Sequence, residues 1–148
     1  MENLISFLKW AIPPKAQAIL RPPYHFLLSF LAALFYGFPS WRLYVVGVTG
    51  TKGKTTVVEL LHSILEESGA RVASLSSLRF WTTDVVTDNN LKMTMPGRFF
   101  VQKFLHEAVR KRCTYAVIEV TSEGIKQFRH RFINFDAALM TNVAPEHI

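Results

Sequence analysis

The sequence predicts an α/β fold: a P-loop-type, mostly parallel sheet with flanking helices, preceded by an apolar N-terminal helix. Three observations predict it. A short β-branched run, LYVVGV at 43–48, meets a glycine-containing turn and then a segment with helical spacing. Buried-type runs at 71–76, 113–120 and 135–141 alternate with helix-period segments, the pattern of a parallel sheet with crossovers. The 148 residues, 49% hydrophobic and 19% charged, suffice for one ordinary core and exclude a disordered tail, a collagen-like repeat or a low-complexity linker.

The first element lies in the front region, residues 1–41. Tyr24 to Phe38, YHFLLSFLAALFYGF, is the most apolar stretch, and its 15 residues fall short of the about 20 that a membrane-spanning helix needs. It also begins too far into the chain for a signal peptide. Pro22-Pro23 suit a helix start, while Gly37 and Pro39 mark its end. Leu27, Phe30, Leu31, Leu34 and Phe35 recur at helical spacing and form one apolar face. The sequence favours packing of this helix on its own domain over a membrane-surface contact through residues 24–38.

Charge is distributed unevenly. The net charge is +6, and residues 1–52 carry five cations against the single acid Glu2. A basic excess suits nucleic acid, anionic lipid or phosphorylated substrates. No zinc-finger spacing occurs, and the longest basic run, Arg110-Lys111-Arg112, reads as a solvated helix end, so no nucleic-acid partner is expected. The lone Cys113 excludes an intrachain disulfide and a cysteine-cluster zinc site, and it fits a reducing compartment.

The second region, residues 42–148, opens on the strand at 43–48 and the loop Thr49-Gly50-Thr51-Lys52-Gly53-Lys54-Thr55-Thr56. Val57, Leu60, Leu61, Ile64 and Leu65 keep helical spacing until Gly69. Strand, glycine loop and helix in that order are the context of a phosphate-binding loop. Gly50 and Gly53 let the backbone curl so that N–H groups face phosphate oxygens, and the helix N-terminus adds partial positive charge. Lys54 would reach the β- and γ-phosphates, and the Thr55 hydroxyl would hold Mg²⁺. The strict G-x-x-x-x-G-K-[ST] pattern is not met, because Val48 stands at its first glycine.

Farther along, 71–76 reads as a strand, 82–90 as a polar loop, and Met95-Pro96-Gly97 as the opening of a helix carrying Phe100, Phe104, Leu105 and Ala108 on one face. The runs 113–120 and 135–141 read as further strands. Ligands in such sheets sit at the carboxyl ends of the strands. Glu119, at the end of an apolar strand, is a natural Mg²⁺ ligand there. His147 taken alone reads as a solvated residue near the chain end, and His25, His62, His106 and His130 show no ligand spacing and read as structural or solvated.

These motifs resemble a known family. GVTGTKGKTT resembles the ATP loop of the Mur ligases, which build the peptide stem of peptidoglycan, and of the related folylpolyglutamate and cyanophycin synthetases. The preceding Tyr36-Gly37-Phe38-Pro39-Ser40 turn resembles the branch that adds the third residue to UDP-N-acetylmuramoyl-L-alanyl-D-glutamate. Glu119-Val120-Thr121-Ser122-Glu123-Gly124 is similar to the family's Glu-Val-Ser-Ser-His-Gly, with Glu123 in place of the histidine. Thr141-Asn142-Val143-Ala144-Pro145-Glu146-His147 is similar to Thr-Asn-Leu-x-x-(Asp/Glu)-His. Thr94-Met95-Pro96 resembles a Thr-Thr-Pro turn, with Met95 departing from it.

The resemblance implies a cytoplasmic, ATP-dependent amide ligase acting through an acyl phosphate, with ATP and Mg²⁺ as cofactors and a UDP-N-acetylmuramoyl peptide and an amino acid as substrates. It implies ATP-phosphate contacts from Gly50, Thr51, Lys52, Gly53, Lys54, Thr55 and Thr56. It further implies catalytic roles for Lys54, Glu119 and His147, magnesium ligation by Thr55, Glu119 and His147, and substrate contacts from Thr94, Thr121 and Ser122. On this reading residues 1–41 are a connector and 42–148 the front part of the central ATP-binding domain. The isolated chain is expected to bind nucleotide without ligating. Two alternatives stay open: another ligase of the superfamily, such as a folylpolyglutamate synthetase or a lipid II-modifying subunit, and a non-catalytic nucleotide-binding module docking on a membrane or partner through residues 1–38.

Overall fold

In the computed structural model, which describes residues 14–83, 85–91 and 93–144, strand β1 (Tyr44–Thr49) lies inside the sheet, as its valine content requires. On one side it pairs in parallel with β5 (Tyr115–Glu119), and on the other with β6 (Ala137–Met140). Strand β5 also pairs in parallel with β2 (Val72–Leu75). Beyond β2 the sheet turns antiparallel through β3 (Arg79–Thr82) and β4 (Val85–Asp88). The order across the six strands is therefore β4-β3-β2-β5-β1-β6.

The antiparallel wing corrects the reading of 82–90 as a polar loop. Phe80, Trp81, Val85, Val86 and Thr87 are aromatic and β-branched residues that favour a pleated surface. The two strands lie at the sheet margin, where β4 is exposed along its length, so the segment lacks the apolar run of a buried strand.

Helices cover both faces. Helix α2 (Lys54–Glu67) packs Val58 against Val48, Val72 and Val117. Helix α3 (Arg98–Arg110) packs Val101, Phe104, Leu105 and Ala108 against Val45, Leu75 and Ile118 on the opposite face. Successive side chains of a strand point to opposite faces, so Val117 and Glu119 share the α2 side while Ala116 and Ile118 face α3. That alternation aims Glu119 at the start of α2. A short helix α4 (Ser122–Lys126) follows β5.

Helix α1 (Pro14–Phe35) runs through Pro22 and Pro23 instead of starting after them. Its end is a Schellman turn: Gly37, at φ +69°, donates its N–H to Leu34 O, and Phe38 N–H donates to Ala33 O at 2.9 Å. Helix α1 packs on its own domain, but with the face opposite to the one the periodicity suggested. Ser29, Ala32 and Ala33 are buried, and Ser29 Oγ donates to Phe128 O and His25 O at 2.8 Å each. Leu27, Leu31, Leu34 and Phe35 stay outside. Small residues allow close approach of helix to loop; the hydroxyl supplies the tie. Among the described residues, no helix is long and apolar enough to cross a membrane.

Candidate functional site

The loop between β1 and α2 is shaped from three sides. Gly50 sits at φ +136°, and a Cβ there would overlap Thr141 Oγ1, so both conformation and space demand glycine. Gly53 caps α2 at φ +79° with no side-chain cap, leaving the first-turn N–H groups of Lys54, Thr55 and Thr56 without intrahelical acceptors. No acidic side chain occupies that turn. The result is an uncompensated positive helix end beside a curled backbone, suited to an anion.

The end of β6 clamps the curl. Asn142 Oδ1 accepts from Thr51 N at 3.1 Å and Lys52 N at 3.0 Å, and Asn142 Nδ2 donates to Lys52 O at 3.1 Å. Thr141 Oγ1 donates to Lys52 O at 2.7 Å. Thr51 Oγ1 and the Ala144 backbone bond reciprocally. The amides of Thr51 and Lys52 are thus engaged by protein. Lys54 Nζ donates to Gly50 O at 2.8 Å and Thr51 O at 3.1 Å, folded back over the loop at the mouth of the curl.

At the end of β5, beside Thr55, lies Glu119, only 2% exposed. Its Oε2 accepts from Thr55 Oγ1 at 3.0 Å, Ser77 N at 2.9 Å and Ser77 Oγ at 3.0 Å. Ser77 Oγ also lies 2.9 Å from Thr94 Oγ1, which ties Thr94 into the same network. No lysine or arginine pairs with Glu119 among the described residues. A buried carboxylate without a cationic partner is expensive, and oxygen donors on Thr55 and Glu119 match a hard divalent cation. The donor set therefore fits Mg²⁺.

A cavity of about 530 Å³ opens beside the loop and Lys54, lined among others by Gly50, Lys54, Ser122, Ile125, Asn142 and Val143. Ser122 is exposed at its edge. Thr121 caps α4, its Oγ1 accepting from Gly124 N at 3.0 Å, so its hydroxyl is committed to the local backbone. Met95 is buried against Gly124, which accounts for an apolar residue in the Thr94-Met95-Pro96 turn. Arg129 braces that turn by donating to the Met95 carbonyl and, from Nη2, to Gln127 Oε1 at 2.7 Å. His147 lies outside the described residues.

Residues 48–148 match the family described as the Mur ligase middle domain. The chain belongs to the Mur ligase family. Among its relatives, UDP-N-acetylmuramyl-tripeptide synthetase of Treponema pallidum (strain Nichols) is 37% identical over 123 residues, 82% of this chain and 23% of the relative. UDP-N-acetylmuramoyl-L-alanyl-D-glutamate--2,6-diaminopimelate ligase of Syntrophomonas wolfei subsp. wolfei is 33% identical over 134 residues, 90% of this chain and 27% of that protein. A solved structure of a ligase of the same name aligns with TM-score 0.64 and 25% identity, covering 72% of this chain and 21% of that one. The chain spans about a quarter of the length of the curated relatives it matches.

Within this Mur ligase domain, the structure brings together Gly50, Gly53, Lys54, Thr55, Glu119 and Thr94. Two residues of the constellation carried no sequence assignment. Ser77 follows β2 with no motif to announce it. Asn142 stood inside a quoted motif but without a role; its clamp on the loop appears only when β6 is laid beside β1.

Proposed function

We propose that this chain is the ATP-handling part of an amide ligase of peptidoglycan precursor synthesis, with residues 42–148 forming the front of the ATP-binding domain and 1–41 leading into it. The substrate class is a UDP-N-acetylmuramoyl peptide joined to an amino acid, in keeping with the names of the relatives. In the reaction the peptide carboxylate attacks the γ-phosphorus of ATP and ADP leaves, giving an acyl phosphate. The amine of the incoming amino acid then attacks the acyl carbon, and inorganic phosphate leaves as the amide forms, with loss of the amine proton.

What supports this reading is the N-terminus of α2, uncapped by any side chain, with Thr55 in its first turn hydrogen-bonded at 3.0 Å to the buried, cation-free Glu119. Phosphoryl transfer asks a protein mainly for positioning and charge stabilisation. The free first-turn N–H groups orient the polyphosphate. Lys54 exchanges its two carbonyl partners for phosphate oxygens and stabilises charge on the transferred group. Thr55 and Glu119 would hold Mg²⁺, which supplies neutralisation of phosphate charge when bound. Ser77 fixes the Glu119 carboxylate, and Thr94 and Ser122 present hydroxyls toward the substrate side. His147 is proposed as a second-ion ligand on the motif resemblance alone.

Calorimetric titration of the full chain with Mg-ATP tests the assignment. Lys54→Ala is expected to abolish measurable binding while far-UV circular dichroism stays unchanged. Equal affinity in the variant and the parent chain would remove the phosphate-loop reading.

A further inference from the structure

Among the described residues, the outward side of α1 has no partner. Ser29, Ala32 and Ala33 face the domain, and at 100° per residue the opposite side is made of Tyr24, Leu27, Leu31, Leu34 and Phe35. Leu27 is 55% exposed and Phe35 76%. Between Pro22 and Trp41 the only polar side chains are Tyr24, His25, Ser29, Tyr36 and Ser40, and none is Asp, Glu, Lys or Arg. An apolar face this continuous marks an interaction site.

Charge identifies the occupant. From residue 3 to residue 58 there is no Asp or Glu, while Arg21 and Arg42 flank the apolar stretch along the chain. Lys126 joins Arg21 and His25 around one hollow, and the Arg131 guanidinium lies over the Phe128 ring that meets Phe26. The acid in that neighbourhood, Glu123, takes a hydrogen bond from Gln127. A second copy docking face to face would set these cations against one another. Tyr24 stands at one end of the face, and Trp41, 75% exposed, follows the helix in the chain; such rings settle at the level of lipid headgroups. From Pro23 to Phe35 the face runs about 20 Å at 1.5 Å per residue, short of the about 30 Å of a bilayer core.

We propose that α1 lies in the plane of an anionic lipid surface, with Leu27, Leu31, Leu34 and Phe35 immersed and Arg21, Arg42 and Arg131 at the headgroups. This inference is independent of the nucleotide reading. Flotation of the full chain with vesicles of phosphatidylglycerol and phosphatidylcholine, and of phosphatidylcholine alone, tests it. The chain is expected to float with the anionic vesicles and far less with the neutral ones. Leu27→Glu/Leu31→Glu/Leu34→Glu should leave it at the bottom with an unchanged circular dichroism spectrum. Should that variant not fold, Arg21→Ala/Arg42→Ala supplies the second arm, lowering the partition coefficient roughly thirtyfold. Three results overturn the proposal: no flotation with anionic vesicles, equal flotation with both vesicle types, or a defined dimer that the leucine substitutions dissolve while vesicles leave it untouched.

Discussion

Gly50 shows how a single position can be fixed twice. Its φ of +136° is a region that side chains rarely enter, and the space beside it belongs to Thr141 Oγ1. Gly50→Ala is expected to lower the unfolding free energy by about 1–3 kcal/mol, read from urea denaturation, because backbone strain and overlap act together. Gly53, with open space around it, bears only the conformational cost. The loop glycines, Lys54 and Thr55 stood out in the sequence because strand, loop and helix succeed one another locally, and Glu119 because it ends an apolar strand. Ser77 did not, since it meets Glu119 across 42 residues and carries no pattern of its own. Thr51 and Lys52 were legible as loop residues, but the capture of their amides by Asn142 depends on a strand 90 residues away.

At the scale of elements, the periodicity of α1 reported which residues share a side and left open which side the domain would take. The small-residue face won because Ser29 can satisfy a loop carbonyl there while Ala32 and Ala33 permit close approach. The hairpin β3–β4 was hidden for a related reason: a marginal, exposed pair lacks the apolar run that betrayed β1 and β5. Packing of α2 on β3 carries its own pH dependence. His62 is fully buried, stacks on Trp81 with ring centroids 3.9 Å apart, and its ring nitrogens find no hydrogen-bond partner among the described residues, Glu66 Oε2 lying 3.9 Å from Nε2. Burial holds its pKa below 6.5; Glu66 and Glu59 oppose that shift and Arg79 adds to it. The unfolded chain therefore takes up a proton near 6.5 that the folded chain refuses, so stability present above that value is lost as pH falls through it. His25, pressed by burial and by Arg98, Arg21 and Arg129, and His130, by burial and Arg131, move the same way. Denaturant melts at about pH 7.5 and about pH 5.5 should show lower stability at the acid end, and His62→Phe should flatten part of that difference.

Across the whole molecule, the sheet order β4-β3-β2-β5-β1-β6 sets the β1–α2 loop between the two strands that bring Glu119 and Asn142. Five side-chain hydrogen bonds run from Thr141 and Asn142 to residues 49–52. Replacing both by alanine should speed amide hydrogen exchange at residues 50–53 by roughly tenfold or more, with β5 amides unchanged, as read by mass spectrometry. A chain leaving the ribosome meets the same dependence as a matter of timing. Its loop glycines emerge early, yet the clasp for them follows about 90 residues later. During synthesis the segment stays slack, and it acquires its working curvature only when the sixth strand clears the tunnel and slides in beside the first.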